Sequence, residues 1–352
     1  MNQGMQVKSN RDSNMELLRI ISMLLVMVLH ADFAAISVPT IEQCHDSAFF
    51  SFFRFFVESL AVVAVNVFVM LSGWYGIKPS FKKLGSFLFQ VYFLIFVVYL
   101  CFWGFGSGHH HSTVEWITIL FFNQYWFIQC YIILYLFSPV LNSFINNTTR
   151  GTYRFVLLSL FFIQFVYGCL PFASVYGWFN DGYSPLTFFF LYLLARYVKQ
   201  YVTLIENYHS VLYVIGWILT ALVIALFGFL TVYVGFGNSL IMYFYGYSSP
   251  FVILGAMLLL LALSRISIKN SLINWIASSV FTVYILHCHE CIFNPYYKSQ
   301  IAKWYSTGFT TLYIVKVTTL IIVLFVSAIF VDKIRILIQK SIVKLIKSCH
   351  EN

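Results

Sequence analysis

The chain has 352 residues, of which 61% are hydrophobic and only 9% are charged, and its formal net charge is +9. In a soluble domain about a quarter of the residues are charged. This composition therefore excludes an ordinary soluble protein and predicts one integral membrane domain. The basic balance is typical of loops that face an anionic cytoplasmic leaflet, and no zinc-finger or basic–aromatic pattern points to nucleic acid.

Successive apolar segments are long enough to span the hydrocarbon core, which takes roughly 20 residues as a helix. The ten predicted spans are 15–36, 54–77, 83–104, 124–145, 152–170, 184–202, 210–234, 239–263, 272–290 and 309–331. They predict an all-α, polytopic membrane bundle of about 10 helices, with an N-terminal tail (1–13), a membrane domain (14–331) and a basic amphipathic tail (332–352) in contact with lipid. The first span is too long for the apolar part of a signal peptide, so we expect it to be retained.

Basic residues gather in alternate loops between the predicted spans. Seventeen of the 21 lysines and arginines lie on one side, which includes both termini, whereas the opposite loops hold only Arg54, Lys298 and Lys303. The positive-inside rule therefore predicts that both termini are cytoplasmic and that the protein is a multi-pass protein of the cell (inner, cytoplasmic) membrane.

Two ionisable side chains share one face of the first predicted span. Arg19 and His30 are eleven residues apart, close to three helical turns, which corresponds to a rise of roughly 16 Å. Arg19 falls at the predicted cytoplasmic boundary, and His30 falls near the middle of the membrane or slightly beyond it. Ionisable groups inside a membrane are costly, so both are functional candidates by default.

Other polar side chains occur at similar depths. Glu58 follows Arg54 by four residues, so it either pairs with that arginine or, like Asp32, orients the imidazole of His30. His287 comes late in the ninth predicted span, near the outer face. The inner side thus offers cations suited to phosphates, and the outer half offers histidines and carboxylates suited to proton transfer. This layout predicts a phosphate-bearing donor from inside and a neutral acceptor outside.

The chain resembles the acyltransferase 3 family of membrane acyltransferases in several segments that occur in the family's order. These are the R-x10-H spacing of Arg19 and His30, VNVFVMLSGW (65–74), QYWFIQCYIILYLFSPVLN (124–142) and SSVFTVYILH (278–287). The resemblance covers roughly residues 14–331. It implies transfer of an acyl group, usually acetyl, from cytoplasmic acetyl-CoA to a hydroxyl of an extracytoplasmic or lipid-linked glycan. It also implies that His30 is catalytic and that Arg19 is essential.

The family often carries an Arg-x-x-Arg pair for CoA at the start of the third span. This chain has KPSFKKLGSF (78–87) there, so Lys78, Lys82 and Lys83 are the candidates to bind the CoA phosphates, as point charges without the bidentate geometry of arginine.

The acceptor site is predicted from side chains at the outer ends of spans. Trp126 and Tyr125 are candidates to stack on sugar rings, and His287 is a further candidate to bind the acceptor.

The predicted catalytic set is His30, Arg19 and Glu58. His30 acts either as the general base or as a covalent acyl carrier, and the sequence leaves both open.

Two histidine-rich runs raise the question of a metal. HCHEC (287–291) offers histidine and cysteine ligands, but adjacent side chains on a helix diverge and no second ligand pair has the usual spacing, so we predict no metal. HHH (109–111) is expected to lie in an outward loop without a site.

The alternative function is a transporter or flippase of lipid-linked glycan precursors. It would share the spans, the aromatic residues and the intramembrane charges. It does not require an arginine paired with a histidine on one helix, which favours the acyltransferase.

Overall fold

A computed structural model describes residues 12–104, 112–122, 124–169, 180–203, 207–236 and 240–351, with side chains up to residue 342 apart from Cys169. These residues form helices and no strand. The HHH run (109–111) and most of the predicted N-terminal tail lie outside the described residues.

The helices follow one another with short connections. In the first half of the chain they are α1 (Ser13–Ala31), α2 (Phe33–Ile36), α3 (Ile41–Asp46), α4 (Ala48–Val62), α5 (Ala64–Tyr75), α6 (Phe81–Gly104), α7 (Thr113–Leu120), α8 (Trp126–Asn147) and α9 (Arg150–Cys169). In the second half they are α10 (Pro185–Tyr201), α11 (Ser210–Tyr233), α12 (Ile241–Tyr245), α13 (Pro250–Ser264), α14 (Ser271–Ala277), α15 (Val280–His287), α16 (Glu290–Ile292), α17 (Ser299–Tyr305) and α18 (Thr311–Glu351). A π-helical turn, Phe293–Lys298, joins α16 to α17.

Within the described residues, 8 helical segments are long and apolar enough to cross a membrane, and a bent pair makes up to 9. The predicted ninth span, 272–290, is the first arm of this pair, which bends by 67° between Ser271–His287 and Glu290–Tyr305. The predicted sixth span, 184–202, is α10, whose 17 residues are fewer than the roughly 20 that cross the hydrocarbon core. The protein is thus an all-helical, multi-pass membrane protein, while the count of ten spans and the cytoplasmic termini stay predictions.

Helix α1 lies in the interior of the bundle. It packs against α4, α5, α13, α14, α15 and α18. Its buried residues include Ser22 and Met27, which are enclosed by these neighbours. Because α1 carries Arg19 and His30, this central position directs both side chains into protein rather than into lipid.

Peripheral helices expose apolar side chains on their outer faces. Leu219 and Phe227 of α11 and Ile322 and Val323 of α18 are all exposed at the surface of the bundle. Apolar surface of this extent is unfavourable in water, whereas lipid tails are its natural partner. The hydrophobic composition is therefore used at the lipid boundary as well as in the core.

The last helix extends beyond the predicted boundary between membrane domain and tail. α18 runs for 41 residues, from Thr311 to Glu351, without a break at residue 332. Its turn at Asp332 packs into the bundle, where Arg335 Nε donates to Asp332 Oδ1 at 2.7 Å and the Thr282 hydroxyl donates to the same oxygen at 2.6 Å. One face of the first turn of the predicted basic tail, with Asp332 and Arg335, is therefore buried, because a paired arginine can be accommodated inside the protein.

Candidate functional site

A cavity of about 770 Å³ runs beside α1. Arg19 and His30 both line it, so the cavity follows this helix over roughly 16 Å. Glu58 and Trp126 line the same space from α4 and α8. The structure thus brings together, at one cavity, four of the residues that the sequence singled out.

All the segments that resemble the acyltransferase 3 family reach this cavity. Its wall includes Arg19 and His30 from the first segment, Leu71 and Ser72 from the second, Gln124, Trp126, Phe127 and Tyr131 from the third, and Ser278, Val280, Phe281 and Tyr284 from the fourth. Segments that lie far apart in the chain therefore meet around one internal space, which is the expected arrangement of a shared active site.

The hydrogen-bond partner of the His30 ring is another histidine. Nδ1 of His30 lies 2.8 Å from Nε2 of His287, and Nδ1 of His287 lies 2.9 Å from the carbonyl oxygen of Val283. A carbonyl only accepts, so neutral His287 carries its proton on Nδ1 and its Nε2 accepts from Nδ1–H of His30. Neutral His30 therefore has its lone pair on Nε2.

The end of α15 explains why His287 can reach His30. The helix stops at His287, and the chain turns at Cys288 before α16 begins. Cys288 consequently also faces this pair, with its Sγ 3.4 Å from Nε2 of His287 and 3.8 Å from Nδ1 of His30. His289 points elsewhere, toward the carbonyl oxygen of Ile95 at 3.3 Å.

These contacts change what the HCHEC run offers. Donor atoms of His30, His287 and Cys288 all lie within 4.8 Å of one another. The prediction of no metal rested on the divergence of adjacent side chains and on the lack of a second ligand pair, whereas the third group here is a single histidine from the first span, 258 residues before Cys288. The segment SSVFTVYILH (278–287), which resembles the family and ends at His287, was the available signal for this residue, but no spacing rule connects it to His30.

Arg54 forms an ion pair with Asp32 rather than with Glu58. Its Nε donates to Asp32 Oδ1 at 2.8 Å, and its guanidinium also donates to the Tyr305 hydroxyl at 3.3 Å and to the carbonyl oxygen of Ser37. The i,i+4 alternative for Glu58 is therefore not the arrangement seen. A turn after α1 brings Asp32 beside Arg54, and this contact depends on the tertiary fold.

Glu58 instead faces the cavity. Its side chain is buried, with 4% of the residue exposed, and its Oε2 has no hydrogen-bond partner among the described residues. A buried carboxylate oxygen without a partner is costly, so such a group is expected to meet a ligand, an ion or water. Glu58 is thus available to a molecule in the cavity.

Two cationic side chains adjoin the cavity. Arg19 lines it, is 37% exposed at its side chain and contacts Glu16 at 2.7 Å. Lys333 of α18 donates to Oγ of the cavity-lining Ser278 at 2.8 Å. Lys333 belongs to the predicted tail (332–352), and only the docking of α18 against α15 brings it here.

The three predicted CoA lysines lie elsewhere. Lys78, Lys82 and Lys83 are exposed around the start of α6, and none of them is among the cavity-lining residues. Nζ of Lys83 donates to the carbonyl oxygen of Lys78 at 3.2 Å. The structure does not bring them together with Arg19 at the cavity wall.

The predicted acceptor residues separate into two groups. The Trp126 ring lies 5.6 Å from the Tyr247 ring in a stacked arrangement and 4.4 Å from the Tyr183 ring, and all three line the cavity. Tyr125 is buried outside the cavity wall, where its hydroxyl donates to the carbonyl oxygen of Ile285 at 2.9 Å. His287 is likewise outside the cavity wall, where it is the hydrogen-bond partner of His30.

Comparison with known proteins identifies the family. A family model described as an acyltransferase domain matches residues 12–331. No curated protein and no solved structure matched the chain. The matched range covers most of the chain and contains every residue that lines the cavity, while Lys333 lies just beyond it. The chain therefore belongs to the acyltransferase 3 family of membrane acyltransferases.

Proposed function

We propose that this protein is an O-acyltransferase that moves an acyl group, acetyl in the first instance, from cytoplasmic acetyl-CoA to a hydroxyl of an extracytoplasmic or lipid-linked glycan. The observation that carries the proposal is the cavity along α1, which joins Arg19 to His30 in one space. The family supplies the class of reaction. In this proposal the protein lies in the inner membrane with both termini cytoplasmic, so the donor enters beside Arg19.

The histidine pair supports His30 as the general base. A sugar hydroxyl is a weak nucleophile at neutral pH, so a base must take its proton as the oxygen attacks the thioester carbonyl. Nε2 of His30 takes that proton, and Nε2 of His287 accepts from Nδ1–H of His30 and stabilises the imidazolium. As the tetrahedral intermediate collapses, the CoA thiolate leaves and receives the proton from His30.

The same lone pair would be the nucleophile if His30 carried the acyl group covalently. In that case, acetyl-CoA without acceptor would add one acetyl group to His30 and release free CoA. Mass spectrometry of the protein after such an incubation distinguishes the two mechanisms, because a general base acquires no adduct.

The two ends of the cavity supply the remaining contacts in this proposal. Arg19 and Lys333 meet the phosphates of the donor, and arginine and lysine are both suited to them. Trp126 and its neighbouring tyrosine rings offer an apolar wall for the face of a sugar. Glu58 accepts a hydrogen bond from an acceptor hydroxyl. Lys78, Lys82 and Lys83 stay candidates for attracting the donor at the surface.

The central test replaces His30 by Gln in full-length protein in inverted vesicles that receive labelled acetyl-CoA. We expect acetyl transfer to fall by about 10²-fold or more, because the general base is lost. The control is His45→Gln, since His45 is exposed in α3 and outside the cavity. Transfer retained by the His30 variant would overturn the assignment, and a wild-type protein that never consumes acetyl-CoA would favour the flippase.

The acceptor is tested separately in cells. Surface glycans from cells with and without the protein are analysed for ester-linked acyl groups. Loss of these esters without the protein supports a glycan acceptor, and an unchanged ester content contradicts it.

A further inference from the structure

We propose that His30, His287 and Cys288 form a binding site for one divalent transition-metal ion, such as Zn²⁺, and that the bound ion inhibits acyl transfer. The site would take the ion at Nδ1 of His30, Nε2 of His287 and Sγ of Cys288, whose donor atoms lie within 4.8 Å of one another. Imidazole nitrogen and thiolate sulfur are the ligands that Zn²⁺ prefers in proteins.

The separations of the donor atoms fit a tetrahedral ion. With Zn–N about 2.0 Å and Zn–S about 2.3 Å, tetrahedral ligands lie about 3.3 Å apart for two nitrogens and about 3.5 Å apart for nitrogen and sulfur. The two nitrogen–sulfur separations here are 3.4 and 3.8 Å, and the two nitrogens are 2.8 Å apart. The nitrogens must separate by about 0.5 Å as the ion replaces their hydrogen bond, and the wider nitrogen–sulfur separation must shorten by about 0.3 Å.

The site also has the outer contact that histidine ligands need. Metal-binding histidines commonly donate their second ring N–H to a carbonyl or carboxylate, which holds the ring and its tautomer in place. His287 donates from Nδ1 to the carbonyl oxygen of Val283 at 2.9 Å, so its Nε2 already presents a lone pair. His287 is therefore already in the orientation and tautomer in which Nε2 can bind an ion.

An ion can reach the site through the cavity. His30 and Cys288 both line it, which leaves a fourth coordination position open to water. Glu58 lines the same cavity with an unpartnered carboxylate oxygen. A divalent ion with one thiolate and two neutral imidazoles carries a single positive charge, which a carboxylate on the same cavity wall would offset.

Inhibition follows from the proton balance at His30. When Nδ1 of His30 binds the ion, its proton moves to Nε2, and the Cys288 thiol releases one proton to solvent as it becomes a thiolate ligand. Nε2 then has no lone pair to accept a proton from the acceptor hydroxyl. This consequence rests on the proposed function of His30, whereas binding of the ion does not.

Binding is tested on purified full-length protein with Co²⁺ as a spectroscopic substitute for Zn²⁺. The protein carries a tag without histidine, and residues 109–111 are changed to glutamine so that the HHH run contributes nothing. We expect one Co²⁺ per chain, with the near-ultraviolet charge-transfer band of a cobalt–thiolate bond. Cys288→Ser should abolish the band and weaken binding by about 10-fold or more, because even outer contacts are worth that much.

The matched control is Cys291→Ser, because Cys291 is buried nearby but outside the cluster. It should keep the band. No band in the parent protein, or a band that survives in both Cys288→Ser and Cys288→Ala, would overturn the site. Size-exclusion profiles of all variants establish that each one is folded.

Inhibition is tested in the transfer assay with Zn²⁺, each variant being compared with its own metal-free rate. We expect Zn²⁺ to reduce transfer by the parent protein at least about tenfold, and a chelator to restore it, since a general base contributes about 10²-fold or more. Cobalt binding without inhibition would refute the regulatory part alone. Cobalt binding by a protein that shows no acyl transfer would refute the proposed function and leave the site standing.

Discussion

At the residue scale, the proposed chemistry of the cavity depends on the hydrogen bond from Nδ1 of His30 to Nε2 of His287. His287→Leu removes the acceptor and frees the His30 ring to take the wrong tautomer. We expect kcat to fall by about 10²- to 10³-fold with little change in the KM for acetyl-CoA. His287→Gln should keep more activity, because its amide oxygen can accept the same hydrogen bond.

Steady-state kinetics and the pH dependence of kcat for both variants test this positioning role. A purely structural role for His287 would lower the amount of folded protein and leave the kcat of the remainder unchanged. Equal activity of the Leu and Gln variants would also contradict the proposed positioning role of His287.

The buried carboxylates Asp32 and Glu58 are expected to differ in their effect on stability. Arg54→Ala leaves the carboxylate of Asp32 without its partner, which should lower the free energy of unfolding by about 3–5 kcal/mol. Glu58→Gln removes no ion pair seen in the structure, so the cost should be below about 1 kcal/mol while transfer falls. Unfolding in detergent measures both, and a large loss of stability in the Glu58 variant would contradict the assignment of Glu58 to the cavity.

At the scale of elements, the close approach of α5 and α10 depends on one glycine. A Cβ added at Gly73 would lie 2.2 Å from the carbonyl oxygen of Tyr192, which is backbone and cannot rotate away. Gly73→Ala should therefore destabilise the protein by about 3 kcal/mol or more. Gly85→Ala is the control, since nothing lies within 4 Å of the added carbon. Equal melting temperatures for the two variants would contradict this, because they would show that α5 and α10 can move apart at little cost in free energy.

The docking of α18 gives a second test at this scale. Lys333 of α18 reaches Ser278 at the cavity wall, whereas Lys340 on the same helix is exposed. Lys333→Gln should raise the KM for acetyl-CoA by about tenfold, as expected for one charged hydrogen bond, and Lys340→Gln should leave it unchanged. A larger increase in the KM for acetyl-CoA when Lys82 and Lys83 are replaced together would instead assign the donor site to the start of α6.

At the scale of the whole molecule, the remaining question is orientation. Ser306 follows α17 and Ser267 follows α13, both are exposed, and the positive-inside rule puts them on opposite sides of the membrane. With Cys101, Cys169 and Cys349 replaced by Ser, a membrane-impermeant maleimide on intact cells should label Ser306→Cys and not Ser267→Cys. Labelling of Ser267→Cys in inverted vesicles is the control, and the reverse pattern would invert the topology.

The sequence by itself determined the features that depend on local composition and period. Its low charge and long apolar segments established a multi-pass helical membrane protein, and four ordered segments identified the family that the domain match confirmed. The angular period of a helix was enough to place Arg19 and His30 on one face, since eleven residues are close to three turns. These inferences need no knowledge of which helix meets which.

Tertiary structure alone decided the partners of those residues. His30 contacts His287, and Arg54 pairs with Asp32 rather than with its helical neighbour Glu58. Spacing along the chain describes only neighbours within one helix, whereas these contacts form where separate helices end, bend and pack against each other. The chemistry of the cavity arises at such junctions, because a buried polar group must find its partner in three dimensions.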